Sequence, residues 1–209
     1  SKLLSRHPDS EDFDGHFNMR RVVGKLNFLS DSTRADISYA THQISRFVSC
    51  PKKEHGEAVK WLVRYLVGTK DKGYYITPDP SKGMEVHVDS DLAGNWDPEL
   101  AGIDIDTARS RHGYIISYAG VPLVWKSSLQ TECALSSTEA ELIGLSSSLR
   151  TAIPLQRILN EMKELGFPIA EQQPVIHCEL FEDNNGQLAI SQFPKMRPST
   201  KQTNDNYFQ

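Results

Sequence analysis

Three acidic side chains stand where elements of secondary structure should begin or end: Asp89 in VHVDSDLAG (86–94), Glu141 in SSTEAELIGL (136–145) and Asp183 in CELFEDNNGQ (178–187). Carboxylates at two strand ends and on a helix packed across the same sheet can converge on one point. Such a group can hold a pair of divalent ions ~3.5–4 Å apart, the arrangement that clamps attacking and leaving oxygens in phosphodiester hydrolysis. The donors are oxygen only and no close His or Cys pair accompanies them, which favours Mg²⁺ or Mn²⁺ over zinc.

Each position also has an ordinary explanation. Asp closes strands by bonding its own backbone. Glu141 stands three residues after Thr138, and Glu139 three after Ser136, both the spacing of a capping box. Residues two apart on a helix point to different faces, so only one of these glutamates can face the sheet edge. Strand alternation sends Asp89 and Asp91 to the same side, so pattern alone leaves both open.

The elements that would position these groups are legible in outline. Residues 1–14 are polar and acidic without periodicity and read as a strap or linker. Three apolar stripes with helical spacing follow: Met19, Val22, Val23, Leu26 and Leu29; Ile37, Ala40, Ile44 and Phe47; and Ala58, Trp61, Leu62, Tyr65 and Leu66, closed by Gly68. An extended segment begins at Tyr74, before the turn-forming DPSKG at 79–83. The period then changes to two. Met84–Asp89, Gly113–Tyr118 and Pro122–Ser127 read as strands, the last two joined by the hairpin signal Ala119-Gly120, with Cys133–Ser136 as a further short strand. Ser137–Leu149 reads as a helix that Pro154 should kink or divide, with its apolar face continuing to Gly166. Val175–Phe181 reads as a strand and Asn185–Gln192 as a short helix. The order β-β-β-α-β-α predicts an α/β chain, a mixed sheet with helices packed on it.

Composition limits the function classes. The longest run free of Lys, Arg, Asp and Glu, His112–Trp125, contains Gly113, Gly120 and Pro122, so no membrane span is expected. No apolar core follows the charges at the N-terminus, so an intracellular protein is expected rather than a secreted one. Cys50, Cys133 and Cys178 are too far apart for a disulfide framework or a close zinc pair and read as reduced thiols. Between residues 15 and 77, 11 Lys and Arg stand against 5 Asp and Glu, whereas from 81 to 209 the count is 10 against 17. A basic part that holds a polyanion and an acidic part that gathers divalent metal would show this asymmetry.

At this level of detail the sequence resembles the copia-type retrotransposon reverse transcriptases (Pseudoviridae), in their C-terminal connection region and ribonuclease H domain. VVGKLNFLSDSTRADISYATHQISRF (22–47) resembles the segment between polymerase and nuclease, with Ala35 where the family's RPDI motif has Pro. EHGEAVKWLVRYLVGTKDKGYYI (54–76) resembles the helix that ends in RYLKGT, with Val67 for Lys. VDSDLAG, WKSSLQ (125–130), ALSSTEAELIGL and EDNNGQLAI (182–190) then follow in the family's order. The resemblance implies a small helical connection unit over 1–80 and a ribonuclease H-like mixed β-sheet flanked by helices over 81–209. It also implies catalytic and metal-ligand roles for Asp89, Glu141 and Asp183, two Mg²⁺ or Mn²⁺ ions, and endonucleolytic hydrolysis of RNA in RNA/DNA hybrids. The implied partners are the hybrid and an upstream polymerase domain, and the implied setting is a cytoplasmic virus-like particle and the nucleus.

Two departures bear on activity. WDPELAGIDIDTARSRH (96–112) is longer and more acidic than the family's loop. RPSTKQTNDNYFQ (197–209) carries Gln202 and Asn204 where TKHID has His and Asp, and the last strand and the helix with a fourth carboxylate have no counterpart. The alternative expectation is therefore a catalytically impaired module that holds template–primer or the polymerase core.

Nucleic-acid contacts are expected from Lys52, Lys53, Lys60 and Arg64 along one helix and from Trp125 and Lys126 at a strand end, with Arg20 and Arg21 as similar candidates. Trp61, inside an apolar stripe, is expected in the core.

Overall fold

The computed structural model describes residues 4–5, 9–79, 81–169 and, for the backbone alone, 178–181. The order is α1 (Met19–Ser32), a 3-10 turn (Ala35–Ile37), α2 (Ser38–Ser45), α3 (Lys53–Gly68), β1 (Met84–Ser90), β2 (Arg111–Tyr118), β3 (Val121–Leu129), α4 (Ser137–Glu164) and β4 (Cys178–Phe181). Two units separate: residues 1–76 with 95–108 and 126–128, and residues 77–94 with 109–125 and 129–209. The acidic loop 95–108 belongs to the helical unit. Among the described residues no helix is long and apolar enough to cross a membrane.

The first unit packs α1, α2 and α3 around Met19, Val23, Leu26, Ile37, Ile44, Val59 and Leu62. Asn18 caps α1, its side chain accepting from the Arg21 N–H. Ala35 opens the 3-10 turn, a first position that Pro would suit but does not require. Arg34 donates to both Asp36 oxygens at 2.9 and 2.8 Å, and the Tyr65 hydroxyl adds 2.7 Å. The guanidinium holds the Asp36 carboxyl down at about 2. The strap is pinned along α3: Phe13 N–H donates to Pro51 O and Lys53 N–H to Glu11 O. Phe13 covers Gly56, where a Cβ would come within 2.6 Å of its ring.

Trp61 corrects the expectation of a core residue, because it is 70% exposed. The buried face of α3 is His55, Gly56, Val59 and Leu62, and Trp61 stands one residue, about 100°, round from Leu62. His55 occupies the third helical position and caps the helix, its Nδ1 accepting from the Lys52 N–H at 2.9 Å. Nδ1 therefore carries no proton, and Nε2–H donates to Ser5 O at 3.1 Å. Burial pushes the His55 pKa below 6.5. The folded state then binds fewer protons than the unfolded one, so stability is fully present above about pH 6.5 and falls as pH drops, by up to ~1.4 kcal/mol per pH unit. Denaturant unfolding at pH 7.5 and 5.5 should show this loss. His55→Gln, which keeps an acceptor for the Lys52 N–H, should flatten it, and an equal loss in that variant would rule His55 out as the cause.

The second unit holds the sheet, in the order β3-β2-β1-β4. β1 pairs antiparallel with β2, Met84 opposite Tyr118 through Ser90 opposite His112, and parallel with β4, Met84 beside Cys178 through His87 beside Phe181. Ala119 (φ 53°) and Gly120 (φ 74°) both take the left-handed conformation, as a two-residue hairpin turn between twisted strands requires. α4 covers one face, its Leu145, Ala152 and Leu159 packing with Met84, Val86, Val88, Tyr114 and Ile116.

Two sequence expectations need correction here. The helix is not divided at Pro154, which lies inside one continuous 28-residue helix, because α4 is anchored in the core on both sides of it, at Ala152 and Leu159. Cys133–Ser136 forms no strand. Its backbone and side chains are used to cap α4 instead, with the Leu135 N–H donating to Glu139 and Ser136 accepting from the Glu139 N–H. The expected strand at Val175–Phe181 is described only at Cys178–Phe181, and the expected helix Asn185–Gln192 lies outside the described residues.

Candidate active site

Asp89 is the penultimate residue of β1, opposite Gly113 of β2. The strand alternates, with Met84, Val86 and Val88 buried and His87 and Asp89 exposed. Asp91, which pattern could not separate from Asp89, is occupied by the backbone. Its N–H donates to Arg111 O at 2.9 Å, and its Oδ1 accepts from the Arg111 N–H at 2.6 Å. Asp91 thus has the turn-forming role that an Asp after a strand often has. The Asp89 carboxylate forms no hydrogen bond or ion pair with a described residue and faces solvent.

The two glutamates of α4 separate just as clearly. Ser136 is the N-cap, with Oγ accepting from the Glu139 N–H at 3.2 Å, and Glu139 Oε2 accepts from the Leu135 N–H at 2.7 Å. Glu139 is therefore the capping residue. Thr138 lies inside the helix, and Glu141 falls in the second turn rather than the first, so capping does not explain it. Glu141 is only 8% exposed. A carboxylate out of water is costly to keep, and a cation that reaches it is attracted far more strongly than at an exposed site.

Gly144 sets how closely α4 crosses the strands. A Cβ there would overlap Ser90 Oγ, lie 3.2 Å from His112 Cβ and 3.5 Å from Val88 Cγ2. That approach brings Glu141, one turn earlier, toward the end of β1 that carries Asp89. Gly144→Ala should therefore push the helix off the strands and cost about 1–3 kcal/mol by overpacking. Ser90→Ala in the same chain should restore part of the loss in denaturant melts, and no recovery would place the clash elsewhere.

Asp89 leaves β1 on the face away from α4, and Glu141 rides on α4, so the two can share an ion only around the C-terminal end of β1. Asp183 lies outside the described residues. Among the described residues no three His, Cys, Asp or Glu side chains gather in a way that could hold a metal ion. The donor chemistry at Asp89 and Glu141, carboxylate oxygens without sulfur or imidazole, fits a hard divalent cation.

Three of the lysines expected to contact nucleic acid have carboxylate partners. Lys52 pairs with Asp12 at 2.7 Å, Lys53 with Glu11 at 2.6 Å and Lys60 with Glu57 at 2.7 Å. The strap and the helix itself thus offset most of the charge the sequence places on that face. Arg64 is exposed, as is Lys126, while Trp125 is half-buried in β3. Arg21, a candidate already in the sequence, stands on the outer side of α1, and what sequence reasoning missed is the groove beside it. Arg21, Gly24, Lys25, Phe28 and Leu29 line a shallow groove of about 480 Å³. Neither Arg21 nor Lys25 forms an ion pair with a described residue. Phe28 is 71% exposed. The signal was present, since Phe28 lies off the apolar stripe and one or two turns from the two cations.

No protein-family model matches the chain. It is 38% identical over 168 residues, 78% of its length, to the retrovirus-related Pol polyprotein from transposon TNT 1-94 of Nicotiana tabacum, and covers 11% of that protein. The Pol polyproteins from transposons RE1 and RE2 of Arabidopsis thaliana are 34% and 33% identical over 77% and 82% of the chain, which covers 10% of each. The chain thus spans about a tenth of the length of the curated relatives it matches.

Proposed function

Since the chain belongs to the Pol polyproteins of copia-type retrotransposons, we propose that its second unit is a ribonuclease H-like domain that hydrolyses RNA within RNA/DNA hybrids. The observation that carries this reading is Glu141: a carboxylate outside the capping box, buried, on a helix that Gly144 lets down against the end of the Asp89 strand. Asp89, Glu141 and Asp183 would hold two Mg²⁺ or Mn²⁺ ions, which supply an activated nucleophile and stabilise the departing 3′ oxygen. Asp91 keeps the loop after β1 closed through the Arg111 backbone, leaving the Asp89 carboxylate available. Selectivity for a hybrid would rest on contacts to 2′-hydroxyls across a wide, shallow minor groove. Arg21 and Lys25, beside the groove of α1, offer the first unit a place to hold the phosphate backbone. A polymerase core upstream in the same polyprotein would be the natural partner.

That same α1 face also favours a second reading, a module that holds template–primer without cutting it. One assay separates the two. The chain is incubated with end-labelled RNA/DNA hybrid, RNA duplex and DNA duplex in Mg²⁺, Mn²⁺ or EDTA. The nuclease reading expects cleavage of the RNA strand in the hybrid alone, lost in EDTA and in Asp89→Asn. A hybrid that is bound and left intact with both metals would leave only the holding role.

A further inference from the structure

A chain of hydrogen bonds in the second unit, buried at Ser110, Gln130 and Ala140, runs between the two segments that carry the candidate carboxylates. It begins in the loop after β1, where the Ala93 N–H donates to Ser110 Oγ at 3.1 Å. The Gln130 N–H donates to Ser110 O at 2.8 Å. Gln130 Nε2 then donates to Ala140 O at 2.6 Å, on the residue next to Glu141. Ser110 and Ala140 are fully buried, and Gln130 is 1% exposed.

Satisfying backbone groups does not explain Gln130. The Ala140 carbonyl already has a partner within the helix, in the N–H four residues on. Gln130 Oε1 is buried and accepts no hydrogen bond from a described residue. A buried acceptor left without a donor is costly, and an apolar residue of similar volume would avoid that cost. What the amide adds is a fixed distance between the end of β3, the loop after β1 and the second turn of α4.

We infer that Ser110 and Gln130 are positioning residues, a buried relay that holds Glu141 in register with the Asp89 strand. This rests on the nuclease reading, and it gives a role to the last residue of the WKSSLQ motif. Neither side chain touches substrate. Their effect passes through the backbone of Ala93 on one side and of Ala140 on the other, and a misplacement of about 1 Å remote from the chemistry can cost on the order of a hundredfold in rate.

The test uses the whole chain with Gln130→Met, which keeps the volume and removes the amide, and with Ser110→Ala, which deletes one hydroxyl. Ser148→Ala is the control. Ser148 is equally buried on α4 and donates to Leu145 O at 2.8 Å, away from the relay. Two readouts are taken, the kcat and KM of hybrid cleavage and the Mn²⁺ affinity followed by electron paramagnetic resonance.

Gln130→Met should lower kcat by about 30-fold with KM unchanged, and weaken Mn²⁺ binding by about tenfold, the scale of lost outer-shell support. Ser110→Ala should move both in the same direction by less, and carries the test if the Met variant fails to fold. Ser148→Ala should lower the melting temperature and leave kcat and Mn²⁺ affinity alone. Wild-type kcat and Mn²⁺ affinity in both relay variants would overturn the inference, as would changes matched by Ser148→Ala. If the unsubstituted chain leaves hybrid intact, the nuclease reading fails, and Mn²⁺ affinity across the variants still decides the relay.

Discussion

Glu141→Gln is expected to reduce hybrid cleavage on the order of 10³-fold, beyond the ~10–100-fold that loss of an outer-shell partner costs, because an amide cannot supply the charged oxygen a divalent cation needs. Glu139→Gln should leave the rate unchanged, since Gln serves the capping box as well as Glu does. Glu139→Ala should cost about 1 kcal/mol of stability, the worth of the cap, again with the rate retained. The contrast follows from the two sites. Glu139 is bonded to the Leu135 N–H at the helix start, whereas Glu141 is buried one position beyond Ala140 and has no part in the cap. Initial rates in Mg²⁺ and Mn²⁺ with parallel denaturant melts check all three variants. A rate loss that follows Glu139 instead would reassign the carboxylate and remove the main support for the nuclease reading.

What was legible beforehand depended on how local the determining physics was. Strand β1 announces itself through Met84, Val86 and Val88, and the hairpin through Ala119-Gly120, because period-two alternation and turn conformation are set by adjacent residues. The choice between Asp89 and Asp91 was not local. It depends on the Arg111 backbone, which reaches Asp91 only once β2 has paired with β1. The same holds for the lysines of α3. Their charge reads directly from sequence, and the carboxylates of Glu11 and Asp12 that offset it come from a strap 40 residues away. Trp61 was misplaced by treating every apolar residue of α3 as one stripe, although Val59 and Leu62 define a narrower face that excludes it. Pro154 shows tertiary packing overriding a local rule, since a helix docked over a sheet tolerates one missing N–H and some crowding.

The largest stability effect is expected at Arg46, where the acidic loop 95–108 joins the helical unit. In the sequence the loop stands out as longer and more acidic than its counterpart in the family, and within the first unit Asp104 is 2% exposed. Arg46 Nη2 stands 3.3 Å from Asp106 Oδ2 and 3.8 Å from Asp104 Oδ2, while Nη1 donates to Gln43 Oε1 at 3.0 Å and the guanidinium lies 5.0 Å over the Phe47 ring. Gln43 Nε2 also donates to Asn95 Oδ1 at 3.3 Å, so α2 holds the loop at both ends. Arg46→Met would preserve much of the packing on Phe47 and remove a charge that pairs with both carboxylates through one group. Breaking a buried pair from one side costs about 3–5 kcal/mol, because the remaining charge stays out of water. Arg46→Lys should recover only part of this, as a single ammonium cannot reproduce a planar fork that serves two carboxylates and stacks on a ring. The comparison variant is Arg46→Met with Asp104→Leu and Asp106→Asn, which removes the carboxylates that Arg46 pairs with and should regain most of the stability. Urea melts read the energies, and limited proteolysis between residues 95 and 108 reads whether the loop has come away. If Arg46→Met melts like the unsubstituted chain and the loop stays protected, the ion pairs contribute nothing measurable, and apolar contacts such as that of buried Leu100 must hold the loop instead.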